Sequence, residues 1–293
     1  MKLKVTDLLK SGKPLLWDGG MGTQLIERGL TSDTLPEQWN VERADDVREI
    51  HAAYYAAGAV AVQSNTFGGH PLKLAGNALD SRAEELNREG VKRVVEARPE
   101  GKLAIGDIGP CGSMMPPTGT ADPEKVKDGF KRQAFALAEG GADAIHIETM
   151  FDIEEIGLAL DAAKETGLEV MTSMTFNLTP RGFFTIMGIS PEKAVEELEA
   201  RGATVVGANC SIGPADMVKL AGELKKYAGV PVIVQANAGK PRTEGSDTVY
   251  DVGPDEFARC AVEMVNAGAD IVGGCCGTTP EFISIMSEMI FGK

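Results

Sequence analysis

Two adjacent cysteines, Cys275 and Cys276, stand among glycines in the stretch Gly273-Gly274-Cys275-Cys276-Gly277-Thr278. Neighbouring residues of a strand face opposite sides, so packing alone gives no reason to pair two thiols there. For both to reach one point the backbone must leave strand geometry, and Gly273, Gly274 and Gly277 supply the freedom. Two thiols are too few for a zinc site. A third, Cys210, lies in Asn209-Cys210-Ser211-Ile212-Gly213-Pro214, again at the end of an apolar run and just before a glycine. Three thiolates leave one of the four zinc positions open, as in a catalytic rather than a structural site.

Three thiolates and Zn2+ carry a net charge near −1, which makes the ion a poor Lewis acid for hydrolysis. Such a site suits thiol activation better. A substrate thiol, ordinarily titrating near about 8.5, loses its proton on binding the metal and stays reactive toward an activated methyl group. The substrate needs handles for its own charges. Gly19-Gly20-Met21-Gly22-Thr23 turns backbone amides inward at the start of a helix, a place for an anionic end. Asp18 and Glu148 offer carboxylates for an ammonium group. The residues therefore describe a site for a small zwitterionic thiol.

The elements that position these groups show in a faint repeat. Gly-Ala pairs at 58–59, 141–142, 202–203 and 268–269 each close a helical pattern and open a short apolar run, the helix-to-strand turn of an α/β unit. With the intervening candidates, strands are expected at 15–17, 60–63, 103–106, 144–147, 170–175, 204–208, 230–235 and 271–273. Helices are expected at 44–57, 82–96, 124–139, 153–165, 191–200, 215–227, 255–267 and 281–290. Eight alternating pairs over residues 1–293 predict one α/β domain, a (β/α)8 TIM barrel. An open doubly wound sheet is the alternative, but Gly19-Gly20-Met21-Gly22 lacks the spacing and acidic partner of a dinucleotide-binding turn.

In such a barrel the site lies at the C-terminal strand ends. Read in order, these are Asp18, Asn65 with Thr66, Asp107, Glu148, Asn177, Cys210, Asn237, and Cys275 with Cys276. Long loops follow strands three, five and seven; Met114, Met115, Phe183 and Phe184 lie on the first two. Such loops are expected either to dock a large partner or to pack over the barrel mouth.

The chain of 293 residues carries 29 Lys and Arg against 43 Asp and Glu, a net charge of −14. That balance argues against nucleic acid or an anionic membrane as partner. No apolar run is long enough to span a bilayer, and the first residues lack an apolar signal core, so a cytoplasmic protein is expected. Five cysteines in a chain of this size point to metal binding or reactive thiols rather than disulfides.

Several segments together resemble the homocysteine S-methyltransferase family. They are Asp18 to Thr23, Asn65 to Gly68, Gly106 to Pro110, Glu148-Thr149, Asn209 to Pro214, Asn237 to Pro241 and Gly273 to Thr278. Within the family the likeness is greatest to the N-terminal, homocysteine-binding module of cobalamin-dependent methionine synthase. The resemblance covers nearly the whole chain. It implies a (β/α)8 barrel in which Cys210, Cys275 and Cys276 hold zinc and homocysteine binds through sulfur. It also implies that Asp18 and Glu148 bind the amino group and that the backbone of Gly20, Met21, Gly22 and Thr23 binds the carboxylate. Asn237 matches a residue that occupies the open zinc position when substrate is absent. The 293 residues contain no module for a methyl donor. The expectation is a methylcorrinoid on a separate corrinoid protein, with S-methylmethionine or a betaine-like compound as alternatives.

Two competing readings assign other chemistry to the thiols. In one, Asn237 is a permanent fourth ligand of a closed, non-catalytic zinc site. In the other, Cys275 and Cys276 do redox chemistry, which the strain of an adjacent-residue disulfide disfavours. The remaining candidates have plainer readings: Cys260 as a small buried hydrophobe, Cys111 without a metal role, and Trp17 and Trp39 as packing residues. His146, sharing strand parity with Glu148, reads as a hydrogen-bonded core histidine. His51 and His70 lack an evident partner.

Overall fold

The four Gly-Ala pairs do form helix-to-strand turns. Gly58, Gly141, Gly202 and Gly268 take φ values of 111°, 101°, 90° and 110°, left-handed backbone that glycine adopts without a Cβ clash. The computed structural model describes residues 3–244 and 247–292. Its strands are β1 (Leu15–Leu16), β2 (Ala61–Gln63), β3 (Leu103–Ile108), β4 (Ala144–Met150), β5 (Glu169–Met174), β6 (Val205–Asn209), β7 (Val232–Ala236) and β8 (Ile271–Gly274). All pair in parallel, in the order β1-β8-β7-β6-β5-β4-β3-β2. The ring closes between β1 and β2 through one backbone bond, Val60 N–H to the Leu16 carbonyl at 2.7 Å. Beside it, the Gln63 N–H donates to Asp18 Oδ2 at 2.6 Å.

The surrounding helices are α1 (Ala44–Ala56), α2 (Ala83–Ala97), α3 (Pro123–Gly140), α4 (Ile153–Lys164), α5 (Pro191–Ala200), α6 (Pro214–Tyr227), α7 (Pro254–Asn266) and α8 (Pro280–Phe291). Proline opens α3 and α5 to α8, where its missing N–H has no helical partner to lose. Asp122, Asp152 and Ser190 cap the starts of α3, α4 and α5 through their side chains.

Along each strand alternate residues point into the barrel. At the lower end these are apolar: Leu15, Ala61, Leu103, Ala144, Met171, Val205, Ile233 and Ile271 form one cluster. The short helix Val5–Leu9 plugs this end, with Val5 fully buried and its N–H donating to Glu169 Oε2 at 2.7 Å. One step up, Trp17 and Ile105 stay apolar while Gln63, His146, Ser173 and Gln235 are polar, all of them buried. Gly207 and Gly273 belong to the same step. A Cβ on Gly207 would lie 1.8 Å from the Ile233 carbonyl oxygen, so the close strand approach there excludes any side chain.

The expected elements are present with small shifts. β4 runs to Met150, beyond the predicted end, with Met150 pairing Met174 after a register shift that follows Ile147. Two hairpins were not expected: Asn177–Thr179 with Gly182–Phe184, and Pro241–Glu244 with Asp247–Tyr250. The first corrects the placement of Asn177, which is exposed on the hairpin rather than at the end of strand five. His70 also gains partners, its Nε2 lying 3.0 Å from the Val126 carbonyl and its Nδ1 accepting from the Leu72 N–H. Of the long-loop residues, Met115 and Phe183 are buried, while Leu178 and Ile186 are exposed at 47% and 66%.

Candidate thiol and amino acid site

β7 is the rail from which both cysteine segments hang. The Cys210 N–H donates to the Gln235 carbonyl at 3.0 Å, and the Cys275 N–H to the Ala236 carbonyl at 2.8 Å. β6 and β8 flank β7, so Cys210 arrives from one side and Cys275 with Cys276 from the other. The backbone break falls at Gly277, one of the three expected glycines, and also at two residues that are not glycine. Cys210 and Ser211 themselves take φ of 61° and 60°, and Gly277 follows the cysteine pair at 81°. Left-handed backbone at two successive non-glycine residues is strained, and such strain collects at functional sites. Gly273 and Gly274 instead permit close packing, since a Cβ on Gly274 would lie 2.2 Å from Thr278 Oγ1.

The three sulfurs lie within 4.8 Å of one another, with Cys210 and Cys276 at 3.9 Å. Zn–S bonds of about 2.3 Å in a tetrahedron place sulfurs about 3.8 Å apart, so the set fits zinc. Hydrogen bonds from Cys275 and then Cys276 pull the Cys210 thiol far below its usual range. The same contact with Cys210 pushes Cys275 and Cys276 up. A cluster that gathers negative charge on sulfur suits a soft divalent cation. Among the described residues it is the one such group of cysteines, and Cys111 stands apart, donating to the Ser113 carbonyl at 3.3 Å.

Asn209, one residue before Cys210, ties the thiols to the carboxylate side. Its Nδ2 donates to Glu148 Oε2 at 3.1 Å and to Thr149 Oγ1 at 2.7 Å, and its Oδ1 accepts from the Thr149 N–H at 2.8 Å. Burial raises the Glu148 carboxyl to about 7, against a stabilising hydrogen bond from the Gln63 side chain. Asp18 is also held well above the usual carboxylate range by burial, which the Gln63 N–H partly offsets. Glu148, Asp18, Cys210, Cys275 and Cys276 line one cavity of about 300 Å3 at the strand ends.

Gly20, Met21, Gly22 and Thr23 form another part of its wall. The Gly20 N–H is held by Thr278 Oγ1 at 3.0 Å, and a Cβ there would lie 2.7 Å from the Cys275 carbonyl oxygen. The helix Met21–Glu27 begins at this point, and its first amides have no intrahelical partner. Asn65 also lines the cavity, with its amide donating to Pro36 and Asn40. Thr66 does not. It is fully buried and its hydroxyl donates to the Asp107 carbonyl at 2.7 Å. Asn237 lies beside the thiols, its Oδ1 accepting from the Cys276 N–H at 3.2 Å.

Sequence reasoning missed Gln63, Glu37 and Lys73, which line the same cavity, and gave Asp107 no role there. Glu37 accepts from the Gly68 N–H at 2.6 Å. Asp107 Oδ1 has no hydrogen-bond partner among the described residues, and burial, then Glu148, raises its carboxyl well above the usual range. Glu37 lies in the single 3-10 turn Pro36–Gln38, too short to carry a periodic signal. Asp107, in contrast, was readable as a strand end.

A model of the homocysteine S-methyltransferase family matches residues 15–290. The chain belongs to this family. Curated relatives include the methionine synthases of Mycobacterium leprae and Mycobacterium tuberculosis, each 32% identical over 95% of this chain. The chain spans about a quarter of their length, 24% and 25%. Among solved structures, the metallated form of the homocysteine methyltransferase MmuM from Escherichia coli superposes with a TM-score of 0.79. It is 23% identical, covering 96% of this chain and 98% of that one. This likeness shows a shared barrel fold. The family match spans every strand and seven of the eight helices completely, ending one residue short of the end of α8.

Proposed function

We propose that the chain binds zinc through Cys210, Cys275 and Cys276 and methylates homocysteine to methionine. The observation that carries this reading is the convergence of three thiols on the cavity that Asp18 and Glu148 also line. Bound zinc supplies the means to deprotonate a substrate thiol at neutral pH. Asp18 and Glu148 receive the substrate's ammonium group, with Asn209 fixing one oxygen of Glu148. The amides of Met21, Gly22 and Thr23 face its carboxylate, and Gly20 keeps the wall thin enough for close approach. Asn65 completes the wall, while Thr66 acts behind it by holding β3. Asn237 places the Cys276 segment and is the candidate fourth ligand when no thiol is bound.

On this reading the methyl group comes from a methylcorrinoid carried by a separate protein. The methionine synthase relatives and the exposed Leu178 and Ile186 on a loop of the barrel mouth support it. A small onium donor, S-methylmethionine or a betaine, is favoured by a different observation. Glu37 and Asp107 add two carboxylates to a cavity whose described lining contains one basic residue, Lys73. Free thiols at all five cysteines fit a reducing, cytoplasmic setting. No described helix is long and apolar enough to cross a membrane.

The test is zinc content per chain for the unmodified protein and for Cys210→Ser, with X-ray absorption at the zinc edge before and after homocysteine. One zinc that is lost or weakened in Cys210→Ser and gains a sulfur neighbour with homocysteine is expected. A metal shell indifferent to homocysteine would overturn the reading. Offering each donor class with homocysteine and measuring methionine then separates the donors.

A further inference from the structure

His146 stands on β4 two residues before Glu148, on the same inward face, and is fully buried. It does not line the cavity. Its Nδ1 lies 3.0 Å from Gln63 Oε1 and its Nε2 lies 2.8 Å from Ser173 Oγ. Gln63 and Glu148 line the same cavity, and the Gln63 side chain favours the carboxylate form of Glu148. A chain of four side chains, from β5 through β4 and β2 and back to β4, therefore ends at the proposed ammonium site.

The donors and acceptors fix the direction of this chain. A carboxylate only accepts, so the Gln63 NH2 group faces Glu148 and its carbonyl oxygen faces His146. His146 must then carry its proton on Nδ1 and leave Nε2 bare, to accept from the Ser173 hydroxyl. Burial keeps the ring neutral, with its value pushed down to about 3. Buried polar groups are costly unless all are paired, and an apolar layer would fill this part of the barrel more simply. What the polar layer adds is an oriented Gln63 amide on the cavity wall with Glu148, in addition to the donor from Asn209.

We propose that His146 is a positioning residue which, acting through Gln63 and anchored by Ser173, holds Glu148 in the orientation that receives the substrate's ammonium group. This rests on the assignment of Glu148 to the amino group of homocysteine. His146 touches neither substrate nor thiols, so its effect is confined to recognition of the amine.

The test measures the Kd of the zinc-loaded protein for homocysteine and for 4-mercaptobutyrate, which is homocysteine without its amino group. The proteins are the unmodified chain, His146→Leu, His146→Asn, Ser173→Ala and Glu148→Gln. His146→Leu keeps bulk and removes the donor; His146→Asn keeps a donor near the Nδ1 position. A hydrogen bond to a charged group corresponds to about tenfold in affinity. The expected result is homocysteine binding weakened about tenfold in His146→Leu, restored in His146→Asn, with 4-mercaptobutyrate and zinc content unchanged. Nitrogen-15 NMR of the unmodified protein should show His146 protonated at Nδ1 alone. Equal weakening of both thiols, no weakening, or the Nε2-protonated ring would overturn the proposal. If Glu148→Gln fails to weaken homocysteine selectively, the assignment of Glu148 falls and the proposal with it. If Glu148→Gln is selective and His146→Leu is not, the positioning role alone falls. Should His146→Leu not fold, the ring's protonation and the Ser173→Ala affinities decide in the same way.

Discussion

Among single residues, Asp107 is a buried carboxyl on the cavity wall that costs stability. Its buried Oδ1 lacks a donor among the described residues, and burial, then the carboxylates of Glu148, Asp18 and Glu37, raise its proton affinity. A carboxyl that binds its proton more tightly in the folded than in the unfolded chain favours folding least at high pH. Stability is lost as pH rises above the unfolded value of about 3.9. Asp107→Asn removes that dependence. It is expected to stabilise the protein by about 1–2 kcal/mol at pH 7 and by little near pH 4, measured by denaturant unfolding at the two pH values. Equal gains at both would show that charge is not the cause. The thiols were legible because their residue types and glycine neighbours are uncommon together. The left-handed turn at Cys210 and Ser211 was not, because neither residue type announces positive φ. Gln63 and Glu37 were hidden for another reason: their parts depend on side chains distant in sequence, Glu148 and His146 for the one and a cavity wall for the other.

At the level of elements, the two ends of the barrel divide stability from chemistry. The helix Val5–Leu9 docks on Glu169, which receives both the Val5 N–H and the Thr6 hydroxyl. Glu169 begins β5, at the end away from the cavity. Glu169→Ala is expected to lower unfolding free energy by about 1–3 kcal/mol, through the lost charge-assisted bonds. Homocysteine affinity should stay the same; a change in affinity would show that the two ends are coupled. The eight helices and strands were readable because buried parallel strands are short apolar runs, set off by glycine turns. The hairpins at Asn177–Thr179 and Pro241–Glu244 were not, since their strands lie outside the barrel and lack its apolar pattern.

For the whole molecule, the ring of strands is uneven. Seven junctions are ladders of at least two paired residues, whereas β1 meets β2 through one backbone bond and the Asp18 carboxylate. The same carboxylate is a proposed handle for the substrate. A ligand held at Asp18 would therefore be thermodynamically linked to the barrel's weakest junction. A bound ammonium that steadies Asp18 also steadies the Gln63 amide, and a junction that opens must let go of both. Amide hydrogen exchange at Gln63 and Val60 should slow when homocysteine binds, more than exchange along the β4–β5 ladder. Uniform slowing, or none, would separate closure from binding. Opening and shutting of this seam would then work as a slow breathing motion, and its rate would bound how fast an amino acid held at Asp18 can leave.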